Sequence, residues 1–282
     1  LTGDEKTLVF TVLLPKNPND TSYYAEYQED FFITTKENGE WTPARNLGKP
    51  MSTDRNEGAQ TISADGSRFA FTSCSRIGES GGCELFISDK EGDVWKAPKK
   101  IGSPVNTRFW ESQPCLSADG RTIYFVSNRP DGFGGKDIWV SRMDKNNRWS
   151  KPENLGDSIN TPQNESAPFI HHDGNTLYFS SDGRFGMGGA DIFISRKLPD
   201  GKWSKPENIG YPINTHNDEI GLIINAKGNT AMFSSDRLGG YGKLDLYRFE
   251  LAEKFRPTPV TYLKVSVFDD ETGEILSADV EL

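Results

Sequence analysis

The chain has 282 residues with 34% hydrophobic and 11% aromatic content, enough to build a core and too much for a disordered chain. Its 32 Lys and Arg stand against 41 Asp and Glu, a net charge of −9 that disfavours nucleic acid, whose binding needs basic side chains on phosphates. No apolar run approaches the roughly 20 residues of a membrane helix, and the opening at Leu1, without methionine or a signal-like segment, reads as an excised fragment.

The first elements lie in "GDEKTLVFT", a turn leading into a strand from Gly3. An insertion follows, "LLPKNPNDTSYYAEYQ", carrying Tyr23, Tyr24 and Tyr27, and then Trp41. From here the chain repeats. Trp41, Trp95, Trp149 and Trp203 are each 54 residues apart, as are Glu57, Glu111, Glu165 and Glu219. The turns Asp65-Gly66, Asp119-Gly120 and Asp173-Gly174 keep the same step, with Lys227-Gly228 in the fourth place. Asp4 precedes Asp65 by 61, so the first of five units carries about seven extra residues.

Within a unit the elements run in a fixed order. An apolar segment ("SAPFIHH") meets an Asp-Gly turn, then an aromatic-rich strand ("TLYFSS"), a glycine-rich loop, a third strand ("DIFISRK"), a polar turn ("PDGK") and a last segment, "WSKPENIG". Four β-type runs without helical periodicity make a four-stranded antiparallel meander, and meanders at this period make a β-propeller. The expected fold is all-β with five blades, six being the alternative, over residues 1–256. The inner strand of the first blade falls mostly upstream of Leu1. The four repeated tryptophans are expected between adjacent blades.

The glycine-rich loops read "RIGESGGCE", "RPDGFGGKD", "RFGMGGAD" and "RLGGYGKLD". A phosphate-binding loop must feed a helix, whose amides supply the donors, whereas each of these feeds a strand. Their glycines are expected to serve positive-φ turns. Gly78-Glu79-Ser80-Gly81-Gly82 matches the nucleophile-elbow pattern but sits in a hairpin loop rather than a strand–turn–helix.

Each loop is flanked by an arginine and an acid: Arg76 and Glu84, Arg129 and Asp137, Arg184 and Asp191, Arg237 and Asp245. A bidentate pair across each hairpin is the structural expectation. Glu57, Glu111, Glu165 and Glu219 open the innermost strands, just after Ser52-Thr53, Asn106-Thr107, Asn160-Thr161 and Asn214-Thr215. They form either a ring of carboxylates at the channel mouth, fit for a basic partner or a structural cation, or acceptors for neighbouring backbone amides. No cofactor and no metal is expected: His171, His172 and His216 lack a metal-ligand spacing. Cys74 and Cys83 end one hairpin loop and are expected to form a disulfide, while Cys115 falls on an inner strand as a small core residue.

The run "S-x-D-G-x-T-L-Y-F-S-S-x-R…G-G-x-D-I-F-x-S" resembles the TolB-like propeller repeat. Its longer form, with "W-S-x-P-x-N-L-G…I-N-T…E-S-A-P", is similar to the propeller of the Bacteroidetes OmpA-family envelope lipoproteins, closest to the PorE-type component of type IX secretion. The resemblance covers about residues 1–255. It implies a periplasmic, outer-membrane-associated protein that meets envelope proteins of a secretion complex and reaches peptidoglycan through a domain this sequence does not contain. On the same resemblance, residues 257–282 are a linker and the first strands of a carboxypeptidase-regulatory-like sandwich.

Five copies of one constellation supply sameness, whereas acid–base catalysis needs carboxylates in different environments. The expected function is therefore non-catalytic: a protein-docking scaffold, the alternatives being a glycan or peptidoglycan-fragment binder or a five-bladed glycosidase. The candidate surface is the face carrying the glycine-rich loops and the loops before the inner strands, with Tyr23, Tyr24, Phe109, Trp110 and Tyr241 as its non-repeated aromatics.

Overall fold

The computed structural model describes residues 1–17, 19, 26–53, 55–74, 82–237, 239–240, 244–262 and 267–276. Arg76, Tyr23, Tyr24 and Tyr241, singled out above, lie outside them.

The strands of blade three are Glu111–Leu116, Thr122–Ser127, Asp137–Arg142 and Glu153–Asn154, hydrogen-bonded in chain order. Blade four repeats this with Glu165–Ile170, Thr176–Ser181, Asp191–Arg196 and Glu207–Asn208. Blade two is built from Asn56–Ile62, Arg68–Cys74 and Cys83–Glu91, with its outer position split between Val94–Trp95 and Lys99–Lys100. Blade one contains Thr7–Pro15 and Tyr27–Glu37 with short outer pieces at Glu40–Trp41 and Arg45–Asn46, and blade five contains Glu219–Ile224, Thr230–Ser235 and Asp245–Glu250. The molecule is a five-bladed propeller. Among the described residues blade one has no inner strand and blade five no outer one; Thr2 stands where Ser63 and Ser117 end the inner strands of blades two and three, its Oγ1 donating to Asp4 as Ser63 Oγ does to Asp65.

The middle strands of blades two to four are buried on both faces because blade stacks on blade, Thr176–Ser181 at every residue, whereas Thr7–Pro15 and Thr230–Ser235 are only partly buried. Four cores fill the interfaces. Phe31 of blade one meets Phe69 and Phe71 of blade two, Leu85 meets Phe125, Val126 and Ile138 meet Leu177 and Phe179, and Ile192 meets Leu222 and Phe233. Each fully buried aliphatic or phenyl side chain contributes about 1.5–3 kcal/mol. Trp203 sits in the core between blades three and four, edge-on to Tyr124, while Trp95 and Trp149 are half-buried against the two preceding interfaces. Trp41 faces the closing seam, where it lines a small cleft with Lys36 of blade one and Ile223, Met232 and Arg248 of blade five.

The lower face carries the Asp-Gly turns. Asp119 Oδ1 accepts from Ser117 Oγ and the Arg121 amide, and Gly120 takes φ +64°, a conformation only glycine adopts freely. After blade five a 3₁₀ turn, Glu253–Phe255, puts Phe255 into the core beneath Tyr178, whose Oη donates to the Phe255 carbonyl at 2.6 Å. Residues 257–262 then strap across the lower face: Thr258 N donates to Asp173, Val260 N to the Ala226 carbonyl, and Tyr262 packs edge-on to His172. A short hairpin, Val267–Phe268 with Ile275–Leu276, follows.

Candidate interaction face

On the upper face blades two to five build the same support, complete in blades three and five. Glu111 is fully buried. Its Oε2 accepts the Thr107 amide at 2.9 Å, and its Oε1 accepts Thr107 Oγ1, Ser127 Oγ and Arg129 Nη2 at 2.6, 3.1 and 3.2 Å. Glu165 and Glu219 repeat the threonine and serine contacts, and Glu57 the threonine ones. The candidate ring of carboxylates at the mouth is corrected accordingly: all four carboxylates are buried and engaged inside the blades, the side chains turning under the loop to satisfy its amides. Burial pushes the Glu57 and Glu165 carboxyls above their ordinary value, against the pull of their threonine hydrogen bonds.

The arginine–acid pairs across the loops of blades three, four and five are also corrected, while Arg76 of the Arg76–Glu84 pair lies outside the described residues. Arg129 donates to Ser127 Oγ, the Val105 carbonyl and Glu111, with its guanidinium over the Phe125 and Trp139 rings at 5.0 and 5.2 Å. Arg237 does the same with Ser235, Ile213 and Glu219. Arg184 stands one residue further along its loop, where Gly183 N donates to Ser181 Oγ, and its guanidinium donates to the Ser158 and Ile159 carbonyls. Glu84 is paired with Lys100. Asp137 instead receives amides of its own loop, Phe133 N at 2.5 Å and Gly134 N at 3.1 Å, and Asp191 receives Met187 N at 2.6 Å and Gly188 N at 3.3 Å. The acid braces the loop tip, and Asp245 pairs through its backbone with Ser235 at the base of the blade-five loop.

Most glycines of these loops serve close approach rather than positive φ. A Cβ on Gly186 would stand 1.7 Å from Asp191 Oδ2, and one on Gly134 2.2 Å from the Thr161 carbonyl of the next segment. The loop is thus pressed against its neighbour, with Gly135 N donating to the Gln163 carbonyl at 2.7 Å and Ala190 N to Asp218 at 2.8 Å.

This bracing leaves apolar side chains standing out. Phe133 and Met187, each four residues before its acid, are 51% and 50% exposed, and Phe185 is fully exposed. Tyr211 stands out on the loop leaving the outer strand of blade four, and Tyr27 at the far end of the blade-one insertion. The aromatics expected here behave differently. Trp110 packs half-buried on the core with Lys136 Nζ 4.5 Å from its ring centroid, and Phe109 is half-buried beside Arg108. Phe133 and Met187 share a spacing of four before the acid of their loop, a signal the sequence does carry, whereas nothing in the repeat marks Phe185.

No family model matches the chain, and no curated protein matches it. Solved structures with the same fold include a putative TolB from Agrobacterium tumefaciens, with TM-score 0.52 and 16% identity over 98% of this chain and 77% of that one. A nidogen/laminin complex aligns with TM-score 0.50 and 13% identity over 95% of this chain and 92% of that one. A thermostable family-43 glycoside hydrolase aligns with TM-score 0.49 and 16% identity over 98% and 95%. At such identities the likeness is one of fold.

Proposed function

We propose that this propeller is a non-catalytic docking module whose upper face receives a protein partner. The observation that carries the reading is the display of Phe133, Phe185 and Met187 by two adjacent blades, on loops held rigid by Asp137 and Asp191. Exposed apolar side chains on a fixed frame suit partner binding, since the loop loses little entropy on association. The engagement of Glu57, Glu111, Glu165 and Glu219 in internal hydrogen bonds supports the non-catalytic reading. The setting, a periplasmic complex at the outer membrane and in type IX secretion, rests on the sequence resemblance.

The test is a photo-reactive residue at position 185 of the protein in cells, with one at Val94 on the lower face as control. A single envelope protein cross-linked from position 185, and lost when Phe133, Phe185 and Met187 are changed to Ser without altering Tm, is the expected result. Equal cross-linking from Val94, or unchanged capture by the triple variant, moves the working surface elsewhere. Hydrolysis of arabinan or peptidoglycan fragments by the unmodified protein overturns the non-enzyme reading.

A further inference from the structure

The third strands of the five blades place Phe31, Leu85, Ile138, Ile192 and Leu246 at one repeat position. The first four are 0% exposed and Leu246 is 51% exposed. Local sequence does not account for the difference; cover does. In each of the first four blades the chain returns along the outer edge and lays an aliphatic residue and a polar one on this position: Met51 and Ser52, Val105 and Asn106, Ile159 and Asn160, Ile213 and Asn214. The asparagines clamp the strand's own backbone, Asn106 accepting from Leu85 N and donating to Leu85 O, both at 2.9 Å, and Asn214 doing the same for Ile192. Five or six residues earlier the same segment pairs with the strand, Asn154 opposite Trp139 and Asn208 opposite Phe193.

Blade five has the seat without the segment. After Glu250 the chain turns away through Glu253–Phe255, and no outer strand pairs with Asp245–Glu250 among the described residues. Leu244, Leu246 and Arg248 are exposed there, and the buried Tyr247 Oη has no hydrogen-bond partner.

We propose that the outer edge of Asp245–Glu250 is a receptor for one further extended segment carrying the repeat's own closing motif. That motif reads Asn or Lys, then Leu or Ile, Gly, two residues, then Met, Val or Ile, Ser or Asn, and Thr, as at residues 46–53, 100–107, 154–161 and 208–215. The sequence has no fifth copy, and the four present are held in their own blades, so the occupant lies outside these 282 residues. Backbone pairing supplies affinity at such an edge, and the aliphatic–Asn pair over Leu246 supplies selectivity. In the repeat the motif runs on, four residues after its Thr, to the Glu that opens the next inner strand, which is the element blade one lacks among the described residues. One continuous segment fits both places, on either side of the cleft lined by Trp41 and Arg248.

A synthetic peptide of residues 202–215 added to the purified protein is the probe. Saturable one-to-one binding, a rise in Tm and slowed amide exchange across Asp245–Glu250 are expected. The Ile213→Asp peptide should bind at least about tenfold more weakly, as should the native peptide to Leu246→Asp protein, which folds normally because Leu246 is exposed. A second measurement removes the dependence on free-peptide affinity: a copy of residues 202–224 fused through a flexible linker ahead of Leu1 should raise Tm, with the gain lost in Leu246→Asp. A scrambled fusion that stabilises equally, or exchange protection away from this strand, overturns the proposal. So does a peptide-insensitive dimer that Leu246→Asp dissociates, which would make the occupant a second copy.

Discussion

Arg129 donates from Nη2 to Glu111 Oε1 at 3.2 Å, tying the arginine that follows the second strand to the acid that opens the inner strand of the same blade. Glu111 is wholly buried and the arginine side chain 10% exposed, so neither charge has water to fall back on. Glu111→Ala should therefore cost about 3–5 kcal/mol in urea unfolding, the cost of stranding a buried charge. A loss below about 1 kcal/mol, the range of a surface pair, would show that the guanidinium finds water.

Trp203 and Trp149 occupy equivalent positions with unequal burial. Trp203→Ala should cost about 3–5 kcal/mol and Trp149→Ala distinctly less, because the half-buried ring leaves a smaller cavity. Thermal melts of the two variants check this, and the reverse order would contradict it.

Burial first, and then His171, lowers the His172 imidazole to about 4, with Asp173 acting the other way. Its ordinary value is 6.5, so as pH falls the unfolded chain takes up this proton first. Stability from neutral His172 is complete above pH 6.5 and is lost between 6.5 and 4, by up to about 3 kcal/mol. Because Tyr262 packs on this ring, the strap over residues 257–262 should loosen with it. His172→Phe should flatten the decline: the difference in unfolding free energy between wild type and variant should shrink from pH 7 to pH 4.5, and a constant difference would remove His172 as the cause.

Cys74 and Cys83 face each other across the base of the blade-two loop and are bonded, while Cys115 is free and buried with its thiol pushed up to about 11. A thiol reagent should find no group in the native unreduced protein, one after denaturation and three after reduction. Cutting the bridge should lower stability by about 2–3 kcal/mol, the value for so short a loop. Three thiols without reductant would refute the bond.

The propeller was legible in the sequence because its signals are periodic and local: Trp41, Trp95, Trp149 and Trp203 at one step, and Asp-Gly turns that need only their own residues to form. The face was half legible. Its loops could be located, but Phe109 and Trp110, read there as free aromatics, lie half-buried, and Phe133, Phe185 and Met187 stand out instead. Arg129 had two acids within plausible reach, Asp137 and Glu111, and spacing along the chain favours the nearer one. The loop's own amides claim Asp137, and that competition is visible only when the loop is closed.

Order along the chain thus determined the blades, their strands and their turns, since each follows from side-chain alternation and turn chemistry within about ten residues. Exposure was decided elsewhere. Leu85 and Leu246 enter their strands in the same way, each just after an acid, yet one is sealed beneath Val105 and the other stands open. A side chain's burial belongs to the segment that covers it, and for Leu85 that segment is Val105-Asn106, beyond its own hairpin.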